Sequence, residues 1–143
     1  SLRYFTVFGP KPRPDMSPCI FTRAILSGEE IQVFGNGEQV RGFTYVTDVV
    51  EANMRAASCD SYNGDVFNIS GGGRITVNQL IGKIEEMVGK KANVRYLPFA
   101  KGDVMSTQAD ISKASRMLEY QPAKSFDEGL AETIASIKDF YKL

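Results

Sequence analysis

Two short stretches carry the residues best suited to chemistry. Arg41 lies in a glycine-flanked loop between two predicted strands, where a guanidinium can reach a ligand while its backbone stays anchored. Lys101-Gly102-Asp103 follows a predicted strand that ends at Pro98, and sets a cation, a hinge and a carboxylate on one surface turn. Taken alone, either stretch reads equally as solvated polarity, because most exposed arginines and polar turns do no chemistry. The glycine triplet 71–73, between a predicted strand and helix, invites a phosphate-cradling reading. Its spacing fails the G-x-G-x-x-G dinucleotide fingerprint, since the sixth position is Thr76 and no acidic residue closes the next strand. A simple turn is the better reading. The acid pairs Glu29-Glu30 and Glu85-Glu86 adjoin or lie on predicted helices, and read as solvent-facing charge rather than as general acid–base pairs.

The chain has no histidine, which excludes His-based triads, His-ligated zinc and a His general base within these 143 residues. Its 17 basic and 17 acidic residues balance, and neither sign gathers into a run. That argues against nucleic acid or an anionic membrane as a partner. Cys19 and Cys59 stand in no metal-binding spacing and fall in apolar, helix-like stretches, so they read as buried thiols in a reducing cytoplasm. No apolar run approaches the roughly 20 residues needed to span a bilayer.

These residues must be positioned by alternating strands and helices. Leu2–Phe8 reads as one strand running into Gly9-Pro10, and the chain opens inside it with no initiator Met. The expectation is a piece of a longer protein. Cys19–Leu26 is a first helix stopped by Gly28. Strands around Ile31–Val33 and Phe43–Tyr45 follow, separated by Gly35-Asn36-Gly37, whose Asn-Gly pair suits a tight reversal. A second helix begins near Thr47 or Asp48, with Asp48 and Glu51 in capping-box spacing, and a turn follows at Asn63-Gly64. Val66–Ile69 has the continuous apolar character of a strand covered on both faces. Thr76 and Gln79 form a second capping box, opening a helix with Leu80, Ile81, Ile84, Met87 and Val88 on one stripe before Gly89. Asn93–Leu97 is a further strand, Ser112–Leu118 a short helix capped by Asp110 or Ser112, and Ser125 with Glu128 caps a final helix. The fold class is α/β with small, interrupted sheets.

In order along the chain, LRYFTVFGPKPRPDM, IQVFGNGEQVRGFTYVTDVVEA, VFNISGGGRITVNQL, KGDV, ADISKA and GLAETI resemble the C-terminal half of the extended short-chain dehydrogenase/reductase family. The likeness is greatest to its NAD-dependent nucleotide-sugar epimerases of the UDP-glucose 4-epimerase type. The resemblance implies that residues 1–143 are one nucleotide-sugar-binding domain: a small mixed substrate-binding domain plus the last strands of a truncated Rossmann-type sheet. It implies a missing N-terminal domain that carries NAD, the catalytic Ser/Thr and the Tyr-x-x-x-Lys pair, so that this chain binds a UDP-sugar and catalyses nothing alone. By the same resemblance, Arg41 and Lys101 clamp the diphosphate, Val33 and Phe34 lie against the uracil, Asp103 approaches the ribose, and Thr6 stands where relatives place an asparagine beside the diphosphate-sugar. Gly42 departs from the aspartate that follows the arginine in most relatives. Other readings are a dTDP- or UDP-sugar dehydratase or decarboxylase, and a stand-alone protein-interaction module. If Leu2–Phe8 and Val66–Ile69 are sheet strands stripped of neighbours, their edges invite self-association or a homodimer.

Overall fold

The computed structural model describes residues 1–59, 64–71 and 73–143. Among the described residues, seven strands and five helices alternate in a mixed α/β arrangement, with the strands divided among three small sheets. The predicted first strand is split. β1 (Leu2–Tyr4) pairs in parallel with β5 (Phe67–Ile69), whereas β2 (Val7–Phe8) pairs in parallel with β4 (Val40–Tyr45). At the changeover the Phe5 N–H donates to Ile69 O at 3.0 Å and the Thr44 N–H donates to Thr6 O at 2.9 Å, so one apolar run serves two sheets.

β3 (Glu30–Phe34) does not form a hairpin with β4. It pairs in parallel with the distant β7 (Asn93–Leu97), while β4 continues the other sheet and is joined antiparallel by β6 (Gly73–Thr76). The Asn-Gly signal marks the reversal correctly but carries no information about which strand pairs with which. β6 itself occupies the glycine-rich stretch read as a turn; Gly72 and Asn63 lie outside the described residues.

Local rules account for the helix ends. α1 (Ser17–Ser27) begins with Pro18 in its first turn, where a missing N–H costs nothing, and ends on left-handed Gly28. α3 (Val77–Val88) has the Thr76/Gln79 capping box and a left-handed Gly89, and α5 (Phe126–Tyr141) has the Ser125/Glu128 box. Each cap contributes about 1 kcal/mol. α2 (Val46–Ala57) corrects the sequence reading, because its N-cap is Tyr45 with no side-chain bond. Asp48 turns inward instead, 4% exposed, to accept from the Ala123 N–H, and Glu51 pairs with Arg55. At α4 (Ser112–Met117) the cap position is Ile111, although Asp110 does accept from the Ser112 N–H at 2.9 Å.

Two apolar clusters result. The larger, between α1, α3, α5 and the β2–β4–β6 and β3–β7 sheets, centres on Phe8, whose ring meets Phe43, Tyr45 and Phe126 at centroid distances of 5.7, 5.5 and 5.1 Å. α5 comes close because Gly129 has no side chain: a β-carbon there would lie 2.6 Å from the Tyr45 ring. The smaller cluster joins Phe67 and Ile69 of β5 to Ala52, Ala114, Leu118 and Tyr120. Cys19 is buried in α1, but Cys59 is half-buried just beyond α2 rather than inside a helix. Glu85 likewise departs from simple surface charge. It accepts from the Ala92 N–H at 2.8 Å and pairs with Lys91, contacts that hold its carboxyl below the usual range, the backbone bond most of all. Among the described residues no helix is long and apolar enough to cross a membrane, and no group of His, Cys, Asp and Glu side chains could hold a metal ion.

Candidate nucleotide-diphosphate site

Arg41 sits on β4, one residue inside the strand, and not in the preceding loop. The segment after β7 is stitched along this strand: the Val40 N–H donates to Met105 O at 2.8 Å and the Thr107 N–H to Val40 O at 3.1 Å. That seam delivers Asp103 and Val104 to the guanidinium. Nη2 of Arg41 lies 2.6 Å from the Asp103 carboxylate, and Nη1 donates to Val104 O at 2.8 Å and to Val40 O at 3.0 Å. With side-chain exposures of 24% and 31%, the pair is partly desolvated and stronger than an open surface bridge. Nε makes no hydrogen bond among the described residues, so the arginine is fixed in place while one donor edge stays available.

Lys101 lies on the same loop, two residues before Asp103, in a turn closed by the Asp103 N–H donating to Ala100 O at 3.1 Å. Its side chain is exposed and forms no ion pair among the described residues. The structure therefore brings the Lys101 loop onto Arg41 through Asp103, across 62 residues of sequence.

The end of β3 is linked to the start of β4 through Gln39. Val33 is 3% exposed, its side chain in the large cluster, whereas Phe34 is 49% exposed. The Gly35 N–H donates to Leu97 O at 2.8 Å, and in a parallel ladder this parity turns the peptide groups of Val33 and Gly35 toward β7. Those of Gln32 and Phe34 face the unpaired edge of this two-stranded sheet. The outward-facing groups of this strand thus belong to Gln32 and Phe34 rather than to Val33. Gln39 is 2% exposed, and its amide donates to Phe34 O, tying the end of β3 to the start of β4. Asn78 fastens the intervening turn. It donates to Asn36 O at 2.9 Å and to Glu38 Oε1 at 2.7 Å, and accepts from Tyr96 Oη at 3.0 Å. Neither Gln39 nor Asn78 has a signal in the sequence, because their partners are set by the β3–β7 pairing.

Thr6 lies farther off. Its carbonyl accepts from Thr44, three residues beyond Arg41, which places it about 10 Å along the strand. Gly42 is buried, and a β-carbon there would stand in ordinary contact, 3.5 Å from both Ser70 Oγ and Thr107 O.

Two arrangements that resemble catalytic or cofactor motifs are structural. The spacing Tyr120 to Lys124 matches Tyr-x-x-x-Lys, yet Tyr120 is fully buried and donates to Ser70 O at 3.1 Å. Burial, with Asp48 nearby, pushes its phenol up to about 12, the opposite of what a base requires. In the glycine triplet, the Gly71 N–H is already bonded to Phe43 O at 3.1 Å, and the chain continues into strand β6 instead of a helix. That geometry does not fit a dinucleotide phosphate, and no step of chemistry through NAD can be assigned to these residues.

Residues 1–70 match the model of the NAD dependent epimerase/dehydratase family. The chain belongs to this family. It is 42% identical to a UDP-glucuronate 4-epimerase of Thermodesulfobacterium geofontis over 143 residues, 99% of this chain and 44% of that protein. A UDP-N-acetyl-alpha-D-glucosaminuronate decarboxylase of Bacillus cytotoxicus is 30% identical over 142 residues, covering 93% of this chain and 44% of the relative. Among solved structures, the Bacillus cereus UDP-glucuronic acid 4-epimerase in complex with UDP-glucuronic acid and NAD superposes with a TM-score of 0.94 at 37% identity, over 98% of this chain and 45% of that one. The chain spans less than half the length of these relatives, and its fold matches the C-terminal portion of the Rossmann-type epimerase structures.

Proposed function

We propose that this chain grips the nucleotide diphosphate of a UDP-sugar for an NAD-dependent 4-epimerase, as the C-terminal domain of a longer two-domain enzyme. In this reading the NAD-binding domain lies outside residues 1–143, and with it the hydride transfer and the catalytic base. The observation that carries the proposal is the Arg41 guanidinium, held in place by Asp103 and Val104 while its Nε makes no hydrogen bond among the described residues. Arg41 meets the diphosphate, Lys101 adds a second positive charge from its loop, Asp103 turns to the ribose, Phe34 and the backbone beside Val33 line the base, and Thr6 reaches the sugar end. Charge-assisted bonds contribute about 1.5–3 kcal/mol each. Two cations therefore supply about 3–6 kcal/mol before the cost of ordering, which corresponds to millimolar or weaker binding by the chain alone.

The similarity to a decarboxylase supports a second reading, in which the same grip serves a sugar-nucleotide decarboxylase or dehydratase. Both readings predict that titrated UDP perturbs backbone NMR signals of residues 32–35, 41 and 101–104. Arg41→Ala should weaken that response about tenfold or more, by loss of one charge-assisted contact. Perturbations confined to other surfaces, or binding of GDP in preference to UDP, would reject the assignment.

A further inference from the structure

α2 carries an apolar face that no described residue covers. Val50 is 56% and Met54 61% exposed, with Val46 and Ala57 exposed beside them, and these four recur at the i, i+4, i+8 and i+11 spacing that lines one side of a helix. Local preference does not explain the stripe, because valine is a weaker helix former than the long polar residues that suit a solvent face. On the inner side of α2, Ala52 and Ala56 pack in the small cluster with Phe67 and Ile69 of β5. Leu2 and Tyr4 of β1 pair with Phe67 and Ile69, so all four side chains stand on the sheet face that α2 overlies. Around the helix, Asn53 lies between the inner side and the stripe, and it accepts from Tyr4 Oη at 2.8 Å. That bond fixes the direction of the stripe: it leans over β1, whose outer edge is unpaired among the described residues, and the exposed ring of Tyr4 extends it.

We propose that the Val46–Val50–Met54 stripe, with Tyr4, is the docking surface for an α-helix of the NAD-binding domain, the helix that leads into β1. This rests on the two-domain reading above and adds the surface by which the two domains hold each other. The chain spans less than half the length of its relatives and matches the C-terminal portion of their Rossmann-type fold, so a strand that extends this sheet belongs to the other part. β1 offers that strand one open edge. In such a sheet, strands on one side of the switch point follow one another in sequence, and parallel crossovers are right-handed in about 98% of cases. A strand added outside β1, and joined to it through a helix, therefore sets that helix on the face where α2 already lies, alongside it and running the same way. Packed helices lie about 8–10 Å apart, which brings the second helix onto Val46 and Val50 and over the ring of Tyr4. The stripe itself holds no charge, and Glu51 and Arg55 on its far flank are paired with each other. The partner it fits is an apolar helix face rather than a charged peptide or a nucleic acid.

The test reads cysteine accessibility. In a Cys59→Ser background, which leaves only the buried Cys19, the changes Val50→Cys and Met54→Cys are made in the 143-residue chain and in the full-length protein that its gene encodes, with Phe140→Cys as an exposed reference on α5. Alkylation by N-ethylmaleimide at positions 50 and 54 should be slower in the full-length protein by about tenfold or more, because a covered thiol reacts only when the interface opens, and position 140 should react alike in both. If the short chain does not fold, the full-length protein decides alone: positions 50 and 54 should react that much more slowly in native buffer than in denaturant, and position 140 should not. Equal rates at 50 and 54 overturn the proposal, and if UDP binding is still lost in Arg41→Ala the diphosphate grip stands without it. Rates in the short chain that fall as its concentration rises put a second copy on the stripe, which also overturns it. A gene with no coding sequence ahead of residue 1 overturns both this proposal and the two-domain reading.

Discussion

The sheet beside Arg41 and the sheet at the chain's start are both two-stranded and parallel, yet they are supported very differently. β3–β7 rests on the large cluster through Ile31 and Val33, and its turn is fastened by Asn78 and Gln39. β1–β5 rests on the small cluster through β5, while β1 exposes Arg3 and Tyr4. A parallel pair is stable when both faces are covered, and neither pair meets that condition: β3 alternates exposed and buried residues, while β5 is covered along its length but β1 is not. The difference lies in the second strand, since β3 and β7 share the large cluster through Ile31, Val33 and Val94, whereas β1 has only Leu2 against the small one, so the β1–β5 half is the more weakly held.

The largest expected effect breaks the better-supported half. Phe8→Ala removes a ring in contact with three aromatic side chains and should cost about 3–5 kcal/mol, read as a lower urea midpoint. Ile69→Ala in the small cluster should cost less, about 2–3 kcal/mol, toward the low end of its class because the few neighbours there can collapse. A larger loss for Ile69→Ala would reverse the comparison. A smaller effect concerns the open edges. The chain should self-associate reversibly along β1 or β5, so that sedimentation shows a concentration-dependent rise in mass. A single monomeric species at high concentration would show that these edges are not adhesive.

The legible parts of the fold were those decided within a few residues. The Thr76/Gln79 and Ser125/Glu128 boxes, Gly28 and Gly89 depend on contacts three or four positions away, and all four stand as read. Asp48 and Glu51 have the same spacing and yet form no box, because the Ala123 N–H, 75 residues away, claims the Asp48 carboxylate. β6 was hidden by its glycines, since a strand that begins at Gly73 is specified by its partner Phe43 rather than by its own side chains. At the site, Arg41 was recognisable as an anchored cation and Asp103 as a turn carboxylate. Their salt bridge was not, because it depends on how the segment after β7 is laid along β4.

Two tyrosines sharpen the comparison at its finest level, one in each cluster. Tyr45 is 3% exposed and donates to Glu132; burial first, then that carboxylate, pushes its phenol up to about 12. Tyr120 reaches about 12 as well, by burial first and then the charge of Asp48. A folded-state value above the unfolded value of about 10 means that the neutral phenol stabilises the fold below pH 10, and that this stability is lost as the pH rises through 12. Ultraviolet titration should therefore show two tyrosines ionising late, together with unfolding. Glu132→Gln removes the charge beside Tyr45 alone, so it should lower that one transition and leave the Tyr120 transition where it was. If both move together, the two clusters unfold as one unit, and the smaller cluster is not the separately dependent half that its packing implies.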